Sequence, residues 1–128
     1  MRKLTPVLYV DAIEPCLPFW ERLGFGTVLT APEGAKIGFV ILAQGGVEIM
    51  YQTRENLAHD IPALAGQAFG PSVLFIEVAS LADLDDVEAR LGDAPRVIPR
   101  RHASYGVEEI WTRDPAGHVI AFALPAAG

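Results

Sequence analysis

Residues 8–24, LYVDAIEPCLPFWERLG, return 68 positions later as residues 76–92, IEVASLADLDDVEARLG. Arg22-Leu23-Gly24 recurs as Arg90-Leu91-Gly92, each at the same distance from a valine that closes an apolar run, Val10 or Val78. Leu8 corresponds to Ile76, Ile13 to Leu81 and Phe19 to Val87. A repeated tripeptide alone can arise by chance. Apolar residues matching in phase on both sides of it point to a duplicated supersecondary unit. Two copies are too few for a solenoid, so the expected product is one pseudo-symmetric domain with a site where the halves meet.

Working outward, Leu4 to Val10 reads as a short buried strand. Asp11 with Glu14 three residues on has the form of a capping box, opening a helix near 12–23. Ile13, Leu17, Trp20 and Leu23 share one face of it, and Gly24 is placed to end it. Pro15 suits a first turn, whereas Pro18 should remove a backbone bond and bend the helix. Strands follow at Phe25–Thr30, Ile37–Ala43 and Val47–Gln52, with turns at Pro32-Glu33-Gly34 and Gln44-Gly45-Gly46.

The second half repeats the plan. A strand runs over Ser72–Val78, and Ser80 caps a helix near 81–91 with Leu81, Leu84, Val87 and Leu91 on one face. Strands near Arg96–Arg100, Gly106–Thr112 and His118–Leu124 complete it, the last two joined by the turn Asp114-Pro115-Ala116-Gly117. The order is βαβββ twice. Module 1 covers about 1–52, a connector 53–70, and module 2 about 71–128, within a single domain of 128 residues.

Composition excludes several function classes. Hydrophobic residues make up 51% and charged residues 20%, which is a globular balance. The net charge is −6 with only 10 Lys+Arg, scattered along the chain, so a phosphate backbone is not an expected partner. Acidity leans weakly toward a cationic ligand, and ordinary solubility is the better account of it. One cysteine, Cys16, rules out an internal disulfide and suits a reducing compartment. The apolar run from Leu4 is broken by Asp11, too early for a signal peptide, and nothing approaches a membrane span. A cytoplasmic location is expected.

Three segments carry a resemblance. They are Tyr9-Val10-Asp11 leading into Phe19-Trp20-Glu21-Arg22-Leu23-Gly24-Phe25, then Gly45-Gly46-Val47-Glu48-Ile49-Met50, and Tyr105-Gly106-Val107-Glu108-Glu109-Ile110-Trp111 running into Arg113-Asp114-Pro115-Ala116-Gly117. With them the chain resembles the vicinal oxygen chelate superfamily of glyoxalase I, bleomycin-resistance proteins and extradiol dioxygenases. The resemblance implies an α+β fold in which two βαβββ modules form a curved, partly open barrel around a cavity. It also implies modules that pair within a chain or between chains.

Metal-dependent members place four ligands on the first and last strands of each module. Carried over, these positions are Thr5, Glu48, Val73 and Ala121. Val73 and Ala121 have no donor atom, a neutral Thr hydroxyl is a poor ligand, and one carboxylate is short of the three or so protein ligands a catalytic divalent ion takes. His59, His102 and His118 have no partner at ligand spacing, so each is expected on a surface or turn. No metal or other cofactor is expected.

Strand alternation then sorts the inward faces: Thr5, Val7 and Tyr9; Glu48, Met50 and Gln52; Val73, Phe75 and Glu77; Val119, Ala121 and Ala123; and, on the seventh strand, Glu109 and Trp111. Tyr9, Glu48, Met50, Phe75, Glu109 and Trp111 are the candidate ligand-binding residues; no catalytic residue is assigned. Aromatics beside carboxylates suit a flat or cationic small molecule. Ordinary roles stand beside these. Met50 and Phe75 are residue types that commonly fill cores, Trp111 could serve a core or a dimer interface, and Glu109 could pair with Arg113 or Arg101. Cys16 reads as a small buried hydrophobe. Glu48 on an inner face demands a wet cavity or a partner.

The resemblance to the bleomycin-resistance branch implies a homodimer that sequesters a ligand, an antibiotic among the possibilities, without chemistry. The alternatives are a lyase or isomerase acting on a thiol conjugate or diketone, with Glu48 as general base or partial metal ligand, and an interaction or sensor domain.

Overall fold

The computed structural model describes residues 1–103 and 106–125; Tyr105, which heads the third segment of the resemblance, lies outside the described residues. The chain divides into two compact units, Met1–Gly70 and Pro71–Gly128. The first contains β1 (Val7–Val10), β2 (Gly26–Glu33), β3 (Lys36–Gln44) and β4 (Val47–Thr53), with α1 (Leu17–Arg22) after β1 and α2 (Arg54–Asp60) after β4. The second contains β5 (Val73–Glu77), α3 (Leu81–Leu91), β6 (Arg96–His102), β7 (Glu108–Arg113) and β8 (Val119–Leu124).

Each unit is βαβββ with an open four-stranded mixed sheet, ordered β1-β4-β3-β2 in the first and β5-β8-β7-β6 in the second. In both, the first strand pairs in parallel with the last, and the other pairings are antiparallel. Parallel pairing of first and last strands requires a crossover, and the helix supplies it. The repeat in the sequence is thus a repeat in topology.

The first helix starts differently from the capping-box expectation. Ile13 is already helical, at φ −83 and ψ −40, so no extended N-cap exists for Asp11 to supply. A single 3-10 turn, Glu14–Cys16, leads into α1. Pro15 and Pro18 each fall in the first turn of their own short helix, where their missing N–H leaves no bond broken. The freed acids work elsewhere. Asp11 accepts from Arg54 Nη1 at 2.8 Å, and Glu14 accepts from the Ile37 N–H at 2.9 Å. That backbone bond lowers the Glu14 pKa from its ordinary value. Gly24 ends the helix at φ +90, a conformation L side chains rarely adopt.

In the second unit the cap forms as expected: Ser80 is extended and its Oγ accepts from the Asp83 N–H at 3.1 Å. Leu84 and Leu91 are buried and Val87 half-buried, but Leu81 is 51% exposed. It is the first residue of α3.

Strand ends move by a few residues, with one recurrent cause. β1 starts at Val7 rather than Leu4, just after Pro6. β2 continues through Pro32 instead of turning there, and β6 runs through Pro99. Both are edge strands, and both prolines lie at register shifts, between Ala31 and Pro32 and between Ile98 and Arg101. An edge strand with a bulge is where a residue lacking N–H fits a sheet. β7 starts at Glu108, two residues later than expected.

Alternation gives each sheet a covered face. In the first unit Leu8, Val10, Val40, Leu42, Ile49 and Tyr51 are buried, as are Ile13, Phe19, Trp20, Leu23 and Phe25 from the helical segment and its exit. Trp20 meets Phe19 and Phe25 edge-on, with centroids 5.1 and 4.8 Å apart, and its Nε1 donates to the Tyr51 hydroxyl at 2.7 Å. Cys16 is buried with them, in keeping with its reading as a small hydrophobe. In the second unit Ile110, Ile120 and Phe122 are buried, and Leu84 and Leu91 are the buried residues of α3. Thr112 is buried on the same strand face as Ile110, its hydroxyl donating to Pro95 O at 2.6 Å.

The connector expected over 53–70 belongs to the first unit and begins with a helix. Thr53 caps α2 through Oγ1, accepting from the Asn56 N–H at 3.1 Å, and Leu57 is buried. Asn56 then bridges Gln52 of β4 (2.8 Å) and Glu33 of β2 (3.1 Å). Gly38 makes this approach feasible, because a Cβ there would lie 2.7 Å from Glu33 Cβ and 2.9 Å from Asn56 Nδ2. No helix among the described residues is long and apolar enough to cross a membrane.

Candidate functional site

The candidate residues occupy the opposite sheet faces, which are half-open in the first unit and partly sealed in the second, where Glu109, Ala121 and Ala123 have no exposed surface. In the first unit the ladder sets Val7 opposite Met50 and Tyr9 opposite Gln52, and β3 adds Ile41 beside Met50 and Phe39 beside Gln52. Most of these side chains are half-buried, whereas their neighbours on the other face are sealed. Tyr9, Glu48 and Met50 therefore share one face. Tyr9 has a partner the sequence did not reveal: Phe69 stacks on it, with centroids 4.6 Å apart and planes 20° from parallel. Phe69 lies in an aperiodic stretch after α2, so no pattern marked it.

Glu48 has its partner within the chain. Its Oε1 accepts from Lys3 Nζ at 2.9 Å and from Thr5 Oγ1 at 3.2 Å, with 21% of the side chain exposed. The hydrogen bond from Lys3, aided by the ammonium charge and the Thr5 hydroxyl, lowers its pKa despite some desolvation. A base poised near neutrality needs the opposite shift. Lys3 was not foreseen because it precedes the first strand and follows no periodic pattern.

In the second unit the ladder places Phe75, Ala121 and Trp111 side by side on adjacent strands, and next to them Glu77, Ala123 and Glu109. Phe75, Glu109 and Trp111 thus share one face, as the parity assigned to β7 required. Phe75 is 50% exposed and so is not core filling; Trp111 is half-buried. Glu109 has no exposed surface and accepts from Arg101 Nε at 2.8 Å, the register partner on β6, which decides between the two arginines considered for it. The six candidates fall three to each unit, and each set is described within its own unit.

Do these residues fit a metal? Val7 corresponds to Phe75, so their ladder partners Met50 and Ala121 occupy corresponding positions, and Glu48 corresponds to Val119. The position matching Ala121 in the first unit is therefore Met50, two residues beyond Glu48. A thioether favours soft ions such as Cu(I), and Val73 and Ala121 offer nothing. A divalent ion does not fit this set. Among the described residues no group of three or more His, Cys, Asp and Glu could hold one.

The histidines hold structural positions. His59 Nδ1 is 3.1 Å from Glu33, and His118 Nδ1 is 3.1 Å from buried Asp114, which also accepts from the backbone N–H groups of Ala116 and His118 and so organises the β7–β8 turn. His102 pairs in register with Glu108 at the end of β6. Elsewhere in the first unit, a depression of about 270 Å³ involves Glu14, Thr30, Pro32, Lys36 and Ile37 and none of the candidates.

No protein-family model matches the sequence, and no curated protein does. Solved structures do. A lactoylglutathione lyase from Agrobacterium tumefaciens is 18% identical, with a TM-score of 0.75 over 97% of this chain and 94% of its own. A glyoxalase/bleomycin resistance protein/dioxygenase family enzyme from Burkholderia phytofirmans is 16% identical, with a TM-score of 0.75 over 94% and 95%. A bleomycin-binding protein, solved in complex with bleomycin, is 18% identical, with a TM-score of 0.67 over 97% and 98%. At these identities the likeness shows the fold alone: with a βαβββ topology in each unit, the chain has the glyoxalase/bleomycin resistance protein/dioxygenase fold.

Proposed function

We propose that this protein, acting as a single cytoplasmic domain, binds a flat or cationic small molecule and sequesters it without chemistry, in the manner of bleomycin-resistance proteins. The observation that carries the reading is the ladder Phe75–Ala121–Trp111, where an alanine between two aromatic residues stands at a position the metal enzymes give to a ligand. Half-exposed aromatic and apolar side chains on the faces opposite the packed cores supply contact area of the kind small-molecule sites use. The structural likeness to a bleomycin-binding protein agrees with this reading, while the likeness to a lactoylglutathione lyase speaks only for the fold, which hosts both kinds of function.

The enzymatic alternative rests on Glu48, and two observations weigh against it. Its carboxylate is already engaged by Lys3 and Thr5, and its pKa is lowered, away from what a general base needs. Metal analysis of protein purified without chelator, followed by a lactoylglutathione-formation assay, should return no stoichiometric metal and no turnover. Activity above background would reverse the choice.

Binding is tested by screening tryptophan fluorescence against cationic antibiotics and aromatic metabolites. For a ligand so found, Trp111→Ala should weaken binding by about 1–3 kcal/mol through lost stacking. If that ligand is cationic, Glu48→Gln should cost a similar amount. Both variants should stay folded, and unchanged affinity in both would place the site elsewhere. The proposal includes a homodimer, the commonest symmetric oligomer. Light scattering at micromolar concentration should give twice the 13.8 kDa chain mass, and a clean monomer would remove this part of it.

A further inference from the structure

Trp111 Nε1 is sealed from solvent and has no hydrogen-bond partner, the one buried side-chain nitrogen or oxygen among the described residues in that position. The other tryptophan shows the usual solution, Trp20 Nε1 donating to the Tyr51 hydroxyl. The buried polar residues around Trp111 follow the same rule: Thr112 donates to Pro95 O, Glu109 accepts from Arg101, and Asp114 accepts from the turn beyond β7. An unmade hydrogen bond at a buried N–H costs free energy that folded proteins rarely leave uncompensated.

Trp111 has no acceptor side chain beside it on the ladder. Its register partners are Ala121 and Ile98, and Phe75 lies beyond Ala121. Adjacent strands are about 4.8 Å apart, so the Phe75 and Trp111 backbones stand roughly 10 Å apart across the alanine, about two ring-stacking separations. Phe75 is half exposed and Trp111 keeps some exposure as a residue, whereas Ala121 between them is covered completely.

We infer that the ligand of this face is a flat aromatic compound bearing an uncharged carbonyl, whose entry turns the Trp111 indole off Ala121, so that the carbonyl accepts from Nε1 and the ring packs between Trp111 and the half-exposed Phe75. The inference rests on the ligand-binding reading above and narrows it, from a flat or cationic molecule to one with an acceptor. A cation gains nothing from an N–H donor, and the nearest carboxylate on this face, Glu109, already has a guanidinium.

Two matched probes test it, 1-indanone and indane, which share a fused ring skeleton and differ in the carbonyl. In the 1H–15N spectrum of the free protein the Trp111 indole signal, assigned by its loss in Trp111→Phe, should lie upfield of the Trp20 signal, which is hydrogen-bonded. Adding 1-indanone should move it downfield, and indane should not. Trp111→Phe, which keeps a ring and removes the donor, should weaken 1-indanone binding about tenfold and leave indane binding unchanged. Its thermal midpoint should be no lower than that of the wild type, since an unsatisfied donor is gone.

A Trp111 indole already at a hydrogen-bonded shift in the free protein would overturn the inference, as would a signal that 1-indanone does not move. If Trp111→Ala weakens both probes while Trp111→Phe weakens neither, the ring is a contact and the N–H is not: the inference falls and the binding reading stands. If neither variant changes 1-indanone binding, both fall.

Discussion

Trp20→Ala should destabilise the protein by about 3–5 kcal/mol, the range for truncating a buried tryptophan. The side chain has no exposed surface, packs edge-on against Phe19 and Phe25, and donates to the Tyr51 hydroxyl. Removing it leaves a cavity beneath the sheet of the first unit and withdraws the donor from Tyr51. Urea denaturation should show a lower midpoint with little change in slope. Trp20→Phe should fall between wild type and alanine, because it refills most of the volume without restoring the hydrogen bond. A midpoint shift in Trp20→Ala worth under 1 kcal/mol would mean that this packing does not hold in solution.

Arg101→Ala should be the other severe change, costing about 2–3 kcal/mol. Its guanidinium is paired with Glu109, which has no exposed surface, and withdrawing one partner from a buried carboxylate typically costs 3–5 kcal/mol. The lower figure reflects Arg101 itself, 52% exposed, whose place water can partly take. Glu109→Gln in the Arg101→Ala background should recover much of the loss, since the amide keeps the shape without the charge. A double-mutant cycle would then give a coupling energy above 1 kcal/mol. Additive effects of the two changes would show that the pair contributes no coupling. By contrast, Arg100 spreads its contacts over Asp85, Glu88 and Glu108, and its pKa is raised, chiefly by the bond to Asp85; several exposed partners make loss of any one less costly.

The two glutamates among the candidate residues illustrate where sequence reasoning stops. Alternation along β4 and β7 groups Glu48 with Met50 and Glu109 with Trp111, and the registers set each pair on one sheet face. What alternation does not contain is the partner of each. Lys3 reaches Glu48 from an irregular segment, and Arg101 reaches Glu109 across a bulge that Pro99 introduces into β6. Both pairings change the electrostatics on which a cationic ligand would rely.

The repeated pattern of apolar residues around Arg22-Leu23-Gly24 and Arg90-Leu91-Gly92 pointed to two βαβββ units, alternation told which residues of a strand share a face, and residue identity alone showed that Val73 and Ala121 lack donor atoms. The first two follow from local periodicity, since a period of two or 3.6 sets the direction of a side chain before any long-range contact forms. The tertiary structure alone decided the two-residue shift that matches Met50 rather than Glu48 to Ala121, the stacking of Phe69 on Tyr9, the salt bridges of Glu48 and Glu109, and the unpartnered N–H of Trp111. Each depends on which residue of one strand or loop meets which residue of another. That register is set by the packing of the whole sheet and by bulges at its edges, and no segment carries it in isolation.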